Sequence, residues 1–178
     1  MNRKICLLLI ASLGAATLPA QIQIGLDELA AKAKESVSIS LDSSMLQMAS
    51  SFLGSGKSQD ERFRKLVSGL KAIHVKTFEF AQDGQYRPED LQPIRKQLGA
   101  PGWSKIVDIK ETRETTEIYT KTEQGKTVGF AILTAEPREL VVVYIEGAVD
   151  LAGLADLGGQ FGIPRIPILG QKRLKGAQ

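Results

Sequence analysis

The second half of the chain holds four consecutive strand-like runs, and this pattern constrains the fold more than any other feature. The runs are rich in β-branched and aromatic residues, which are favoured in strands, and they occupy residues 103–110, 115–122, 127–134 and 139–147. Turn-forming glycine and proline fall in the short connections at 123–126 and 135–138. Strands joined by such short turns pair antiparallel, so this half of the chain predicts a meander.

The last of these runs is apolar on both faces from Leu140 to Ile145, which predicts an interior strand. A further strand is predicted over residues 72–80, and the alternation of apolar residues with serines over 37–41 indicates a short one. Amphipathic spacing predicts helices over residues 26–37, 42–53, 60–70, 88–98 and 150–157. We therefore expect an α+β domain, with a mainly antiparallel sheet of about five strands and helices packed on one face.

The N-terminus has the order of a secretory signal peptide. Arg3 and Lys4 form a basic start, an apolar run of about a dozen residues follows, and small residues lead to Gln21. Such a run is too short for a lasting transmembrane helix, which needs roughly 20 residues. We expect cleavage after Ala20 or, as the alternative, after Ala16. The mature protein is therefore predicted to be exported, to the periplasm or to the medium.

Removal of residues 1–20 leaves enough chain for one domain with a core. We assign residues 21–160 to that single domain and residues 161–178 to a proline-containing tail. Cys6 is the only cysteine and leaves with the signal, and the basic residues just before it argue against a lipid anchor. Loss of the two N-terminal basic residues also lowers the formal net charge of +3 by two. The domain therefore lacks the basic footprint of a nucleic-acid-binding protein.

No segment carries a convincing catalytic or cofactor motif. His74 is the only histidine, and it alternates with Ile73 and Val75 in a predicted strand, so we expect it to point away from their face and to be structural. Neither a two-histidine site nor a thiolate metal site can be built from the mature chain. Acids on the predicted strands can meet across a pair, although the sequence does not fix the pairing. They are Asp108, Glu111, Glu114 and Glu117. We expect no enzyme activity, no cofactor and no metal.

The tail is apolar in its first part and basic at its end. Its prolines prevent a helix, so the first part either lies against the domain or is offered to a partner. The basic end is expected to make weak contact or none with anionic lipid. The candidate partner-binding residues are Phe161, Ile163, Pro164, Arg165, Ile166, Pro167, Lys172, Arg173 and Lys175.

These features together predict an exported, non-enzymatic binding domain whose partner is another envelope protein. The alternative is a carrier for a lipid or another small apolar ligand, held between the helices and the sheet. Methionine is adaptable enough to contact irregular apolar ligands. The residues that would line such a cavity are Met45, Met48, Phe52 and Leu53.

Several segments of the chain, taken in order, carry a family resemblance. The strongest is 135–143, which runs into 145–147 and 150–151, and the others are 35–41, 70–75, 78–80 and 102–103. With these segments the chain resembles a bacterial family known only as a domain of unknown function, DUF4252, over roughly residues 26–162. The resemblance implies a shared architecture and an exported envelope protein linked to sigma-factor and anti-sigma-factor signalling. It supplies no catalytic residues.

Overall fold

The computed structural model describes residues 26–53, 59–150, 152–153 and 163–164. The strands are β1 (Glu35–Asp42), β2 (Leu70–Glu79), β3 (Trp103–Lys110), β4 (Thr115–Glu123), β5 (Lys126–Ala135) and β6 (Glu139–Gly147). The α-helices are α1 (Asp27–Lys32), α2 (Ser43–Leu53), α3 (Gln59–Ser68) and α4 (Gln92–Gln97), and a 3₁₀ helix (Pro88–Leu91) leads directly into α4. No helix within the described residues is long and apolar enough to cross a membrane.

All six strands belong to one antiparallel sheet, in the order β1-β2-β6-β5-β4-β3. Strands β3 to β6 form the predicted meander, and β2 joins it by pairing with β6. β6 therefore lies inside the sheet, as its apolar sequence predicts. The α+β class with a mainly antiparallel sheet is confirmed. The sheet has six strands where about five were expected, because the serine-rich segment forms a full strand of 8 residues.

Helices cover both faces of the sheet, so the prediction of helices on one face is wrong. One face, called here the α2 face, is covered by Leu46 of α2 and Val67 of α3, which belong to one core cluster with Ile73, Val143 and Ile145. The opposite face, called the α4 face, is covered by α1 and α4. Both side-chain rows of β6 are apolar, and each row needs a covering layer to be removed from water.

The core of the α4 face holds the larger aromatic residues. Leu29 of α1 and Ile94 of α4 belong to one buried cluster with Phe78, Phe80 and Leu140. The two phenylalanines follow each other at a spacing of two, so both side chains reach the same face. They form the contact between the sheet and the helices that cover this face.

Two helix boundaries differ from the predicted ones for physical reasons. α1 ends at Lys32 and not near residue 37, because the chain from Glu35 onwards pairs with β2. After β6, residues 152–153 are helical and the Gly153 N–H donates to Asp150 Oδ1 at 2.7 Å. The helix predicted over 150–157 therefore begins as expected, and its remainder lies outside the described residues.

Candidate functional site: a charged groove and a free sheet edge

A groove opens on the α4 face, where α4 meets the β3–β4 loop and the β5–β6 turn. Its volume is about 510 Å³, and it is open to solvent. Tyr86 and Leu91 give it an apolar part. Seven of the fifteen lining residues are charged, with both signs present: Arg95, Lys110, Glu111, Arg113, Glu114, Glu117 and Glu136. A lining of this kind suits a polar ligand better than an apolar one.

The charged centre of the groove is Glu117, of which only 4% is exposed. Glu117 and Tyr119 project from β4 to the same face, since alternate strand residues share a face. Arg95 donates to Glu117 Oε1 from Nη2 at 3.0 Å and from Nε at 3.2 Å. The Tyr119 hydroxyl donates to Oε2 at 2.6 Å, and Lys105 Nζ lies 3.5 Å from the same oxygen. Both carboxylate oxygens are therefore bonded.

The network extends across the β3–β4 pair. Asp108 lies directly opposite Glu117 in the register of the two strands. Lys105 Nζ lies 3.3 Å from Asp108 Oδ2 and 5.5 Å from the centre of the Tyr119 ring. Two of the acids that the sequence left unpaired are thus neighbours, and a lysine lies between their charges.

This network fixes the protonation states of Glu117 and Tyr119. Burial raises the pKa of Glu117, but the hydrogen bonds from Tyr119 and Arg95 and the charges of Arg95 and Lys105 outweigh burial, and the pKa lies below its ordinary value. Burial and the Glu117 carboxylate raise the pKa of Tyr119 to about 12. A carboxylate with a lowered pKa is a weak base, and a phenol with a raised pKa stays protonated at neutral pH. The arrangement holds charge in place and does not favour proton transfer.

The loops around the groove are tied to one another. Asp83 forms ion pairs with Arg113 of the β3–β4 loop at 3.1 Å and with Arg138 of the β5–β6 turn at 2.6 Å. The Tyr86 hydroxyl donates to the carbonyl oxygens of Glu136 and, at 3.2 Å, of Glu139. No group of three or more His, Cys, Asp or Glu side chains in the described part of the chain could hold a metal ion. The ion pairs of Asp83 and the hydrogen bonds of Tyr86 thus hold the loops around the groove together.

His74 is placed as the alternation predicts. Ile73 and Val75 are buried in the cluster of the α2 face, whereas His74 lies on the opposite face and is half-buried. Its ring stacks against Tyr144, with ring centres 6.1 Å apart, and its Nδ1 lies 3.0 Å from Ser40 Oγ. These contacts join β1, β2 and β6, so they give the histidine a structural role.

The structure describes the side chains of two of the four residues predicted to line an apolar cavity. Met45 and Met48 of α2 are 46% and 57% exposed, and neither lines the charged groove. The side chains of Phe52 and Leu53 lie outside the described residues.

The structure describes two of the predicted tail residues. Ile163 is buried and belongs to the core cluster of the α2 face, together with Val149, and Pro164 is half-buried. The other candidate tail residues lie outside the described part of the chain, so the partner-binding role of the tail stays a prediction. They are Phe161, Arg165, Ile166, Pro167, Lys172, Arg173 and Lys175.

The free edge of β1 is the second candidate surface. Among the described residues β1 pairs with β2 and with no other strand. An edge strand presents a row of N–H and C=O groups to solvent, and these groups can pair with another strand. The residues between Glu35 and Asp42 are uncharged and include no proline, and the pairing with β2 is regular throughout. Val37 in this strand is 42% exposed.

The opposite edge of the sheet, β3, carries features that hinder strand addition. Its register with β4 shifts between Lys105 and Val107, which makes Ile106 a bulge residue. Charges at Lys105, Asp108 and Lys110 are spread along the strand. Bulges and charged edge residues both prevent edge-to-edge pairing in natural sheets. The two edges therefore differ in their capacity to bind another strand.

Sequence reasoning identified Glu117 as one of four acids but missed its partners. Glu117 stands between Thr116 and Ile118 in a strand, and Tyr119 follows on the same face. A buried charge requires a partner, but β4 is mostly polar in sequence, so the burial of Glu117 was not evident from the sequence. The identity of that partner, Arg95, depends on how the chain from β2 to β3 crosses the sheet, and nothing local in the sequence specifies this crossing.

Comparison with known proteins gives one match. The family model described as a domain of unknown function (DUF4252) matches residues 31–157. The matched region includes all six strands and the whole charged groove. No curated protein and no solved structure gives a significant match. The chain belongs to the DUF4252 family.

Proposed function

We propose that this DUF4252 protein is an exported, non-enzymatic interaction domain of the bacterial envelope, which binds an extended segment of a partner polypeptide along the free edge of β1. The observation that carries the proposal is the outer edge of β1, with which no other described strand pairs. β1 is regular and uncharged between its ends, and six of its eight residues are exposed. A bound segment would gain main-chain hydrogen bonds from this edge, and side-chain contacts from alternate residues.

The chemistry of the groove supports a binding role over a catalytic one. Glu117 is bonded at both oxygens by Arg95, Tyr119 and Lys105, and its pKa lies below the ordinary value. A general base needs a free lone pair directed at the substrate and a pKa near the working pH. We assign the network to fixing α4 and β3 against β4.

The exposed apolar residues also favour a macromolecular partner over a small apolar ligand. The large hydrophobic residues that are exposed in the described part of the chain are Val37, Met45, Met48 and Ile106. Three of them lie on β1 and on α2, which directly follows β1. Apolar residues on an outer surface suit docking of another chain, whereas a carrier would enclose them around its cargo.

Site-specific photo-crosslinking in the envelope tests this proposal. A photoreactive amino acid replaces Ser38 on β1 in one variant and Ser104 on β3 in another. Both serines are exposed edge-strand residues, so the two variants are matched. We expect a discrete polypeptide adduct from position 38, attached along an extended segment, and none from position 104. Equal adducts from both positions, or none from position 38, would contradict binding at the β1 edge.

A further inference from the structure

We infer that the strand bound at the β1 edge is β1 of a second copy, paired antiparallel about a two-fold axis at Ile39. This inference rests on the proposed function, because it names the partner of the same surface. It would join two six-stranded sheets into one continuous sheet. Two-fold interfaces use the same patch on both copies, so the patch must be complementary to itself.

The sequence of β1 meets this requirement. Residues directly opposite in an antiparallel pair lie on the same face, so the axis must pass through a residue. With the axis at Ile39, this residue meets its own copy and Val37 meets Leu41 on the α2 face. Ser38 meets Ser40 on the α4 face. Apolar residues thus face apolar residues, and hydroxyls face hydroxyls, which are favourable cross-strand pairs.

The positions of the charged residues in β1 are consistent with the register at Ile39. β1 is charged at its two ends, Glu35 and Asp42. With the axis at Ile39, Asp42 lies opposite Ser36, and Glu35 lies beyond the paired residues because α2 of the other copy begins at Ser43, so no like charges meet. An axis at Ser38 would instead place Glu35 opposite Leu41, within the apolar row. The register at Ile39 is therefore the better of the two.

The exposed residues of α2 lie on the side where this pairing would need apolar surface. An axis perpendicular to the joined sheet keeps the α2 faces of both copies on one side. Val37 is 42% exposed on that face, and Met45 and Met48 are 46% and 57% exposed on the helix that packs over β1 and β2. Association would cover part of this surface, and burial of apolar area would add to the main-chain hydrogen bonds.

Cysteine cross-linking tests the register. Single cysteines are introduced in a Cys6→Ser background, where the introduced thiol is the only one. Opposite Cβ atoms in an antiparallel pair are about 4.5–5.5 Å apart, and diagonal ones are farther, so only opposite residues approach disulfide geometry. We expect a cross-linked dimer from Ile39→Cys under a mild oxidant, much less from Ser38→Cys, and none from Ile106→Cys on β3. A faster cross-link from Ser38→Cys would overturn the register.

Sedimentation of the full mature chain over a range of concentrations tests the association itself. Val37→Lys and Ile106→Lys are matched variants, since the two side chains are 42% and 38% exposed on opposite edges. We expect a dimer for the wild type and for Ile106→Lys, and a dissociation constant at least about tenfold higher for Val37→Lys. A wild type that stays monomeric and gives no Ile39→Cys dimer would overturn the homotypic partner. Photo-crosslinks from position 38 to a different chain would then still support the proposed function. Their absence would contradict both the proposed function and the pairing with a second copy.

Discussion

The two edges of the sheet differ in how far they are protected against pairing with another strand. β3 is held by a charge network that runs through Lys105 to the buried Glu117 and on to Arg95 of α4, and a bulge interrupts its pairing with β4. β1 has a regular pairing and uncharged residues between its ends. Among the described residues β3 is protected and β1 is not, and because an unprotected edge promotes aggregation, this difference supports the proposed use of the β1 edge in binding.

The comparison also predicts that the β3 side contributes mainly to stability and the β1 side mainly to binding. The β3 side contributes to the fold through the buried carboxylate of Glu117, whose ion-pair partner is costly to remove. The β1 side presents alternating serines and aliphatic residues whose replacement changes an outer surface. Variants on the β3 side should therefore affect unfolding, and variants on the β1 side should affect association.

The largest expected effect is a loss of stability when the main ion-pair partner of Glu117 is removed. Arg95→Ala leaves Glu117 buried without its main partner, and removing one member of a buried ion pair is strongly destabilising. We expect the free energy of unfolding to fall by roughly 3 kcal/mol, the lower end for such pairs, because Tyr119 and Lys105 still contact the carboxylate. Urea unfolding measures the change. A loss no larger than that of Arg113→Ala, whose ion pair is exposed, would show that the network does not stabilise the fold.

The second-largest effect is expected on association, when a charge is introduced on the outer edge of β1. Ser38→Lys would set two lysines on one face of the proposed dimer, near each other across the axis. We expect about a tenfold rise in the dissociation constant, equivalent to about 1.4 kcal/mol, with the free energy of unfolding changed by no more than about 0.5 kcal/mol. Ser104→Lys on β3 is the matched control and should leave association unchanged. An equal rise in the dissociation constant for Ser38→Lys and Ser104→Lys would contradict the proposed difference between the two edges.

The third effect is a pH dependence of the free energy of unfolding, which arises from Glu117 on the β3 side. The folded pKa of Glu117 is below the ordinary 4.5, so the unfolded chain binds more protons and this group stabilises the fold above that pH. The contribution should be lost as the pH falls through the lowered folded pKa. We expect the stability difference between wild type and Glu117→Gln to be largest near neutral pH and to narrow below about pH 4.5. A difference that stays constant with pH would contradict the assignment.

The smallest effect concerns an ion pair at the β1 end of the sheet. Lys34 Nζ lies 3.1 Å from Glu79 Oε1, and both side chains are more than half exposed. Exposed pairs of this kind contribute about 0.5 kcal/mol or less. We expect Lys34→Ala to change the free energy of unfolding by no more than that, and the change should become smaller at high salt, which screens exposed charges. A loss comparable to that of Arg95→Ala would show that both edges are held by charge.

The sequence predicted those parts of the fold that local patterns encode. The meander of β3 to β6 follows from alternation and short turns, and the interior position of β6 follows from its unbroken apolar run. The same run contained the information that helices must cover both faces, because the residues on each side of β6 are equally apolar. The prediction of helices on one face overlooked this consequence.

The candidate sites depended on contacts between distant segments, which the sequence does not fix. Arg95 and Glu117 are 22 residues apart and meet because the chain from β2 to β3 crosses the α4 face. The strand β1 was predicted from its alternation of serines and aliphatic residues. Its position at the edge is decided by the pairing of β2 with β6, which no local pattern specifies.

The most direct test of the account is amide hydrogen exchange at two protein concentrations, one below and one above the dissociation constant. The central claim is that β1 binds a second copy and β3 does not. We predict that the outward-facing amides of β1 become protected as the concentration rises, whereas those of β3 exchange at the same rate at both concentrations. Protection that appears on β3, or that appears on neither edge, would contradict the claim.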